Sequence, residues 1–110
     1  MQYRSTRIYR RSLELVDFVA RVVKGLPAGF GFLSDQVRRA ASSVTLNFVE
    51  GCRRSGSADR QRFFSIAIGS SYEVFGALDV MHRFGVLEEA DREAGQDLCH
   101  HLAAMLRRYR

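Results

Sequence analysis

The side chains best typed for chemistry in this chain are two carboxylate–histidine pairs, Asp79-x-x-His82 and Asp97-x-x-His100. Residues three apart share a helix face, and such pairs facing one another across a bundle hold two metal ions. The helical wheel does not bring these two together. His82 falls at the edge of the apolar face marked by Phe64, Ala67, Ser71, Val74, Phe75, Leu78 and Met81, and Asp79 lies further round. Asp97 sits roughly 100° from the Leu98 stripe and His100 points away from it. Ligands on opposite sides of a helix wall cannot share an ion, so no metal and no cofactor is expected. Nucleophilic catalysis lacks its partners as well. Ser42, Ser43, Ser70 and Ser71 have no histidine in register and no Gly-x-Ser-x-Gly turn. Cys52 stands beside Arg53 and Arg54, a setting that lowers a thiol pKa, yet no base accompanies it. No phosphate-binding loop or dinucleotide fingerprint occurs. The expectation is a protein that is not an enzyme.

A different pattern is more telling. Val37, Ala40, Val44 and Phe48 form an apolar stripe at 3.6-residue spacing. Beside it run Gln36, Ser43, Asn47, Glu50 and Arg54. Ser, Asn and Gln are mediocre helix formers because their side chains compete for the backbone, so propensity does not explain them. The reading preferred is a structural network in which Asn47 and Glu50 meet Ser70 and Glu73 of the next helix, with Arg39 or Arg54 neutralising a carboxylate. A satisfied buried network fixes helix register or subunit orientation. A ligand pocket is the other reading of the same stripe.

Charge supplies the third signal. The chain of 110 residues carries a net charge of +5, and Lys24 is its only lysine. From Met1 to Arg62 there are twelve Lys or Arg against five Asp or Glu, and beyond that point five against seven. A codon bias toward arginine would account for the Arg/Lys ratio but not for this asymmetry. Arginine's planar fork suits phosphate, which points to RNA or DNA. The candidates are Arg4, Arg7, Arg10 and Arg11 at the N-terminus, and Arg53, Arg54, Arg60 and Arg62 around the second connection.

The elements that must position these residues are four helices in one domain, residues 1–110. One proline, no tryptophan and no β-branched runs between turn signals favour an all-α chain. The spacing predicts helices over about 7–24, 35–54, 58–84 and 88–108. Gly25 and Pro27 stop the first, and Ser34 and Ser57 are expected to cap the second and third. The aromatics of the 27–33 connector are expected to tuck under the bundle. Gly85 ends the third helix, and the fourth presents Ala94, Leu98, Leu102, Met105 and Tyr109. Its closing Arg107 and Arg108 complement the helix dipole. Short connections imply an up-down antiparallel four-helix bundle. The third helix bears a second side, Phe63, Ile66, Gly69, Ser70, Glu73, Gly76 and Ala77. Glycine inside a helix costs about 1 kcal/mol against alanine, so two on one face imply close approach of another helix, most economically in a homo-oligomer. No apolar run approaches the ~20 residues that span a bilayer, and no secretory signal is recognisable, so no membrane association is expected. Cys52 and Cys99 read as free thiols of a cytoplasmic protein.

Gln36-x-Arg38-Arg39-Ala40, Asn47-x-x-Glu50-Gly51 and Gly69-Ser70-x-x-Glu73 together resemble the four-helix bundle family associated with intervening sequences in bacterial 23S ribosomal RNA genes, the S23 type. Ile8-Tyr9, Leu26-Pro27 and Leu33 extend the resemblance over most of the chain. It implies a ring, most often a homopentamer. It also implies kinship with the accessory protein of diversity-generating retroelements, a basic ring that binds nucleic acid and a reverse transcriptase. It brings no reaction with it. The function expected is therefore a non-catalytic ring binding RNA or DNA through arginines, with a protein–protein scaffold for a partner enzyme as the alternative.

Overall fold

Thr6 begins the first helix. Its backbone is extended, and its hydroxyl accepts the Tyr9 N–H at 3.1 Å, satisfying one of the donors that a helix start leaves free. The computed structural model describes residues 2–109, in which a single 3₁₀ turn, Gln2–Ser5, leads into α1 (Arg7–Lys24), α2 (Gly31–Arg53), α3 (Ser57–Arg83) and α4 (Glu89–Arg108). Each helix packs against the next, and α1 closes on α4. The result is an all-α, up-down four-helix bundle of 44 × 22 × 21 Å.

The core follows the 3.6-residue spacing of the apolar residues on three helices. Leu15, Val19 and Val22 of α1, Val37, Ala40, Val44 and Phe48 of α2, and Phe64, Ala67, Val74, Leu78 and Met81 of α3 are buried. Phe48 stacks on Phe64 at 5.7 Å, and Tyr109 meets both rings edge-on at 5.3 and 5.5 Å, so three helices are tied by aromatic contacts at one end. A buried hydroxyl pair also joins α1 to α2: Thr45 donates to Ser12 at 2.9 Å, and Ser12 donates to the Tyr9 carbonyl at 2.7 Å.

Four expectations need correction. α2 starts a turn before Ser34, because the amides of Leu33 and Ser34 already bond to the Phe30 carbonyl and Leu33 is buried; packing outweighs the cap residue. Ser57 is the first residue of α3 and Gly56 occupies the cap, without a side-chain bond. In α4 the inward residues are Gly95, Cys99, Leu102, Ala103 and Leu106; of the predicted stripe Leu102 is buried, Leu98, Met105 and Tyr109 pack half-buried at the core's edge, and Ala94 is exposed. The helix is turned so that Gly95 faces in, where a Cβ would stand 2.5 Å from Phe18 and from Leu78. Of the connector aromatics, Phe30 is half-buried, but Phe32 remains 57% exposed beside Phe84.

Gly85, at φ +77°, ends α3 as expected. Its amide bonds to the His82 carbonyl and the Val86 amide to the Met81 carbonyl, a paired closure that needs a left-handed residue. α3 also departs from the expectation that nothing here is apolar enough to cross a bilayer. An 18-residue window of this helix has mean hydropathy 1.2, with only 33% of it buried in the monomer. Its open side carries Ile66, Gly69, Glu73 and Val80.

Candidate nucleic-acid interface

The polar stripe of α2 separates into two groups. At its centre, the Ser43 and Ser70 hydroxyls lie 2.7 Å apart, and Asn47 donates to both the carbonyl and the hydroxyl of Ser43 at 2.9 Å. This knot joins α2 to α3. At the end of α2, Glu50 instead turns to its own neighbours, accepting from Arg53 at 3.0 Å and Arg54 at 3.1 Å. Gln36, Arg39 and Glu73 join neither group; all three are exposed and have no side-chain hydrogen bond among the described residues. Arg39 stands one turn before Ser43 and lines an open groove with Ser43 and Asn47, Gln36 lies about two turns before Ser43, and Glu73 lies on the open side of α3. The single network predicted from sequence is therefore corrected to a Ser43–Asn47–Ser70 knot and a separate ion cluster.

That ion cluster belongs to a larger assembly of arginines. Antiparallel order brings the start of α1, the end of α2, the start of α3 and the end of α4 to one end of the bundle. Arg4, Arg7, Arg10 and Arg11 therefore share this end with Arg53, Arg54, Arg60 and Arg62. Arg108 arrives with α4, where the helix dipole alone would have accounted for it, while Arg107 turns back to the middle of α3 and donates to the Tyr72 hydroxyl at 3.2 Å. Arg7 and Arg108 line one shallow cleft of about 290 Å³ with Thr6, Ile8, Met105 and Tyr109. The alternation of helix directions is the sequence signal that adds Arg108 to the candidates.

The arginines differ in their attachments. Arg4, Arg7, Arg10 and Arg108 form no ion pair among the described residues, although Arg10 donates to the Ser5 carbonyl at 2.7 Å. Arg11 pairs with Glu14 at 3.2 Å. Asp59 receives Arg54 at 3.4 Å and Arg62 at 3.3 Å. Arg60 donates to the carbonyls of Cys52 and Arg54, satisfying acceptors that the end of α2 leaves free. The guanidinium groups of Arg54 and Arg62 lie 4.8 and 4.3 Å from the centre of the Phe63 ring. Exposed ion pairs of this kind contribute about 0–1 kcal/mol, so a phosphate can replace the carboxylate at little cost.

The thiols are not activated. Burial pushes Cys52 above the ordinary value, outweighing its hydrogen bond to Tyr109 and the nearby Arg60 charge. This reverses the sequence-based idea that Arg53 and Arg54 lower it. Burial pushes Cys99 up to about 12. Among the described residues, no three His, Cys, Asp or Glu side chains converge as metal ligands do.

The opposite end is built differently. Arg92 donates to Glu89 and to Gln96 at 2.7 Å, with Asp79 at 3.4 Å, and Gln96 donates onward to Asp79 at 2.7 Å and to the Phe75 carbonyl at 3.1 Å. The Arg92 bond holds the Glu89 carboxyl below its usual range. His82 stands 3.5 Å from Glu89.

Fold and surface together define a class: a small up-down four-helix bundle with an arginine-rich end. Within that class the chain belongs to the family of 23S rRNA-intervening sequence proteins, whose family model matches residues 4–108. It is similar in fold to a protein of unknown function of the S23 ribosomal protein family from Bacteroides thetaiotaomicron. That crystal structure shares 20% identity with this chain and superposes with a TM-score of 0.83, covering 90% of this chain and 94% of the other. No curated protein matches.

Proposed function

We propose that this chain is a non-catalytic, ring-forming bundle of the cytoplasm that binds RNA or DNA without base specificity through its arginine end. One observation carries the reading: arginines from both halves of the sequence converge on a single end, where few carboxylates oppose them. Guanidinium groups so placed displace counterions from a phosphate backbone, giving affinity that falls steeply with salt. Repetition around a ring multiplies a modest patch through avidity. Self-association is supported by the open side of α2 and α3. Leu46 is 65% exposed there, and a Cβ added at Gly69 or Gly76 would touch nothing within 4 Å in the monomer. Those glycines therefore do not serve the monomer's own packing. The family resemblance favours a homopentamer. The exposed Glu73 in the middle of this face favours a protein neighbour over lipid.

Titrating labelled RNA and DNA at low and moderate salt tests the binding, and light scattering tests the ring. No binding at low salt would sink the nucleic-acid reading, and a monomer would sink the ring. A second reading, a scaffold for a partner protein such as a reverse transcriptase, is favoured by the bare Phe32 and Phe84 rings at the opposite end. It predicts that partner binding persists after the arginine end is neutralised.

A further inference from the structure

We infer that the arginine end takes a nucleic-acid duplex in preference to a single strand, holding two phosphate rows across a groove and leaving the bases unread. The inference rests on the reading of that end as a polyanion site and adds the class of polyanion.

Its first support is the layout of charge. Arg7 comes from α1, Arg53 from α2, Arg62 from α3 and Arg108 from α4, so the guanidinium groups are spread over the end of a bundle whose cross-section is 22 × 21 Å. They form a disc rather than a stripe. The major groove of a B-form duplex is about 12 Å wide, so the phosphate rows on its two sides both fall within that disc. A single strand offers one ribbon of phosphates and engages only part of the disc.

The second support is the state of the aromatic rings. Proteins that hold single strands without sequence preference stack bases on open aromatic faces. At the arginine end those faces are taken. Phe63 already carries the guanidinium groups of Arg54 and Arg62. Tyr109 is engaged with Phe48 and Phe64, and Tyr3 meets Tyr9 edge-on at 5.2 Å. The most exposed phenyl rings, Phe32 and Phe84 at 57% and 56%, lie at the other end of a bundle 44 Å long. A base flipped toward the arginines finds no platform, whereas a duplex needs none.

The test is fluorescence anisotropy with a labelled strand of about 20 nucleotides, alone and annealed to its complement, at about 50 and 200 mM salt. The duplex is expected to bind at least about tenfold more tightly, with the larger salt slope, and a scrambled duplex equally well. Two double variants locate the rows: R7Q with R108Q, and R53Q with R62Q, each checked by circular dichroism. Both are expected to weaken duplex binding, because each removes one side of the disc. F63L removes the ring that carries Arg54 and Arg62, so it is expected to shift duplex and single-strand affinities by the same factor and leave their ratio unchanged. A single strand that binds as tightly as the duplex, or a folded F63L variant that selectively loses single-strand binding, overturns the duplex preference alone. Failure of both ligands to bind at low salt overturns the reading of the arginine end, and this inference with it.

Discussion

The two ends of the bundle use the same residue to opposite effect. At one end, arginines from four elements stand in loose company: exposed pairs with Glu14, Glu50 and Asp59, backbone carbonyls, and the Phe63 face. At the other, Arg92 is held by Glu89, Gln96 and Asp79 at once, and Gln96 carries the tie into the backbone of α3 at Phe75. Arg21 and Asp91 add a further link from α1 to α4 at 3.1 Å. An arginine surrounded by partners fixes helices; an arginine with spare donors is free to meet an external anion. Neighbours, more than residue type, separate the structural cation from the binding one.

The largest effects should come from two glycines, one serving each end. A Cβ at Gly51 would run into the Phe64 ring, and one at Gly95 into Phe18 and Leu78. G51A and G95A should each cost about 1–3 kcal/mol in chemical denaturation, since the overpacked rings must shift. G69A and G76A should not destabilise the monomer and should gain up to about 1 kcal/mol of helix propensity. Equal costs at all four positions would erase the distinction between packed and open glycines.

Exchanging the roles of the two ends is the next test. R7Q with R108Q should lower the salt slope of nucleic-acid binding by roughly 0.9 for each phosphate no longer neutralised, while leaving the melting temperature nearly unchanged. R92Q should do the reverse, lowering the melting temperature and sparing the affinity. A third measurement follows from Glu89, whose folded-state carboxyl is held below its ordinary 4.5 by Arg92. A lowered carboxylate pKa gives stability that is present above the ordinary value and lost as pH falls through the lowered one. Thermal melts in acid should therefore show wild type losing its advantage over R92Q below that value, and a constant difference across the range would contradict the pairing. The smallest effect is expected from N47A, which removes donors from the Ser43–Ser70 knot. It should weaken assembly in size-exclusion chromatography, and a variant that elutes and melts as wild type does would dismiss the knot as an assembly device.

Much of this organisation is legible in the sequence. Periodicity locates four helices and three of their core stripes, because burying an apolar face dominates what helices in a bundle must do. The failures share a physical cause. Ser34 looks like a cap, but buried Leu33 is already helical and α2 begins a turn earlier, so local propensity yields to packing; at α3 the cap position falls one residue before Ser57, on Gly56. α4 is rotated because Gly95 permits a close approach, and a wheel drawn from large apolar residues cannot register what an absent side chain allows. Within the polar stripe, the Ser43–Asn47 bond joins adjacent turns of one helix, and spacing suffices to anticipate it. The predicted link to Glu73 fails because spacing gives a face but not which way a neighbouring helix turns. The Ser12–Thr45 pair is invisible to periodicity because its members lie on different helices with no local signature.

One consequence of the topology concerns how this protein is handled. Thr6 and Tyr109 line the same cleft, so the first and last described helices open and close at the arginine end. An affinity tag or fluorescent fusion attached at either terminus would emerge over the guanidinium groups. A polyhistidine or acidic linker there would add to the apparent affinity or mask it. A label in the α3–α4 connection, beside Gly85, would sit a full bundle length away and leave that surface unshadowed.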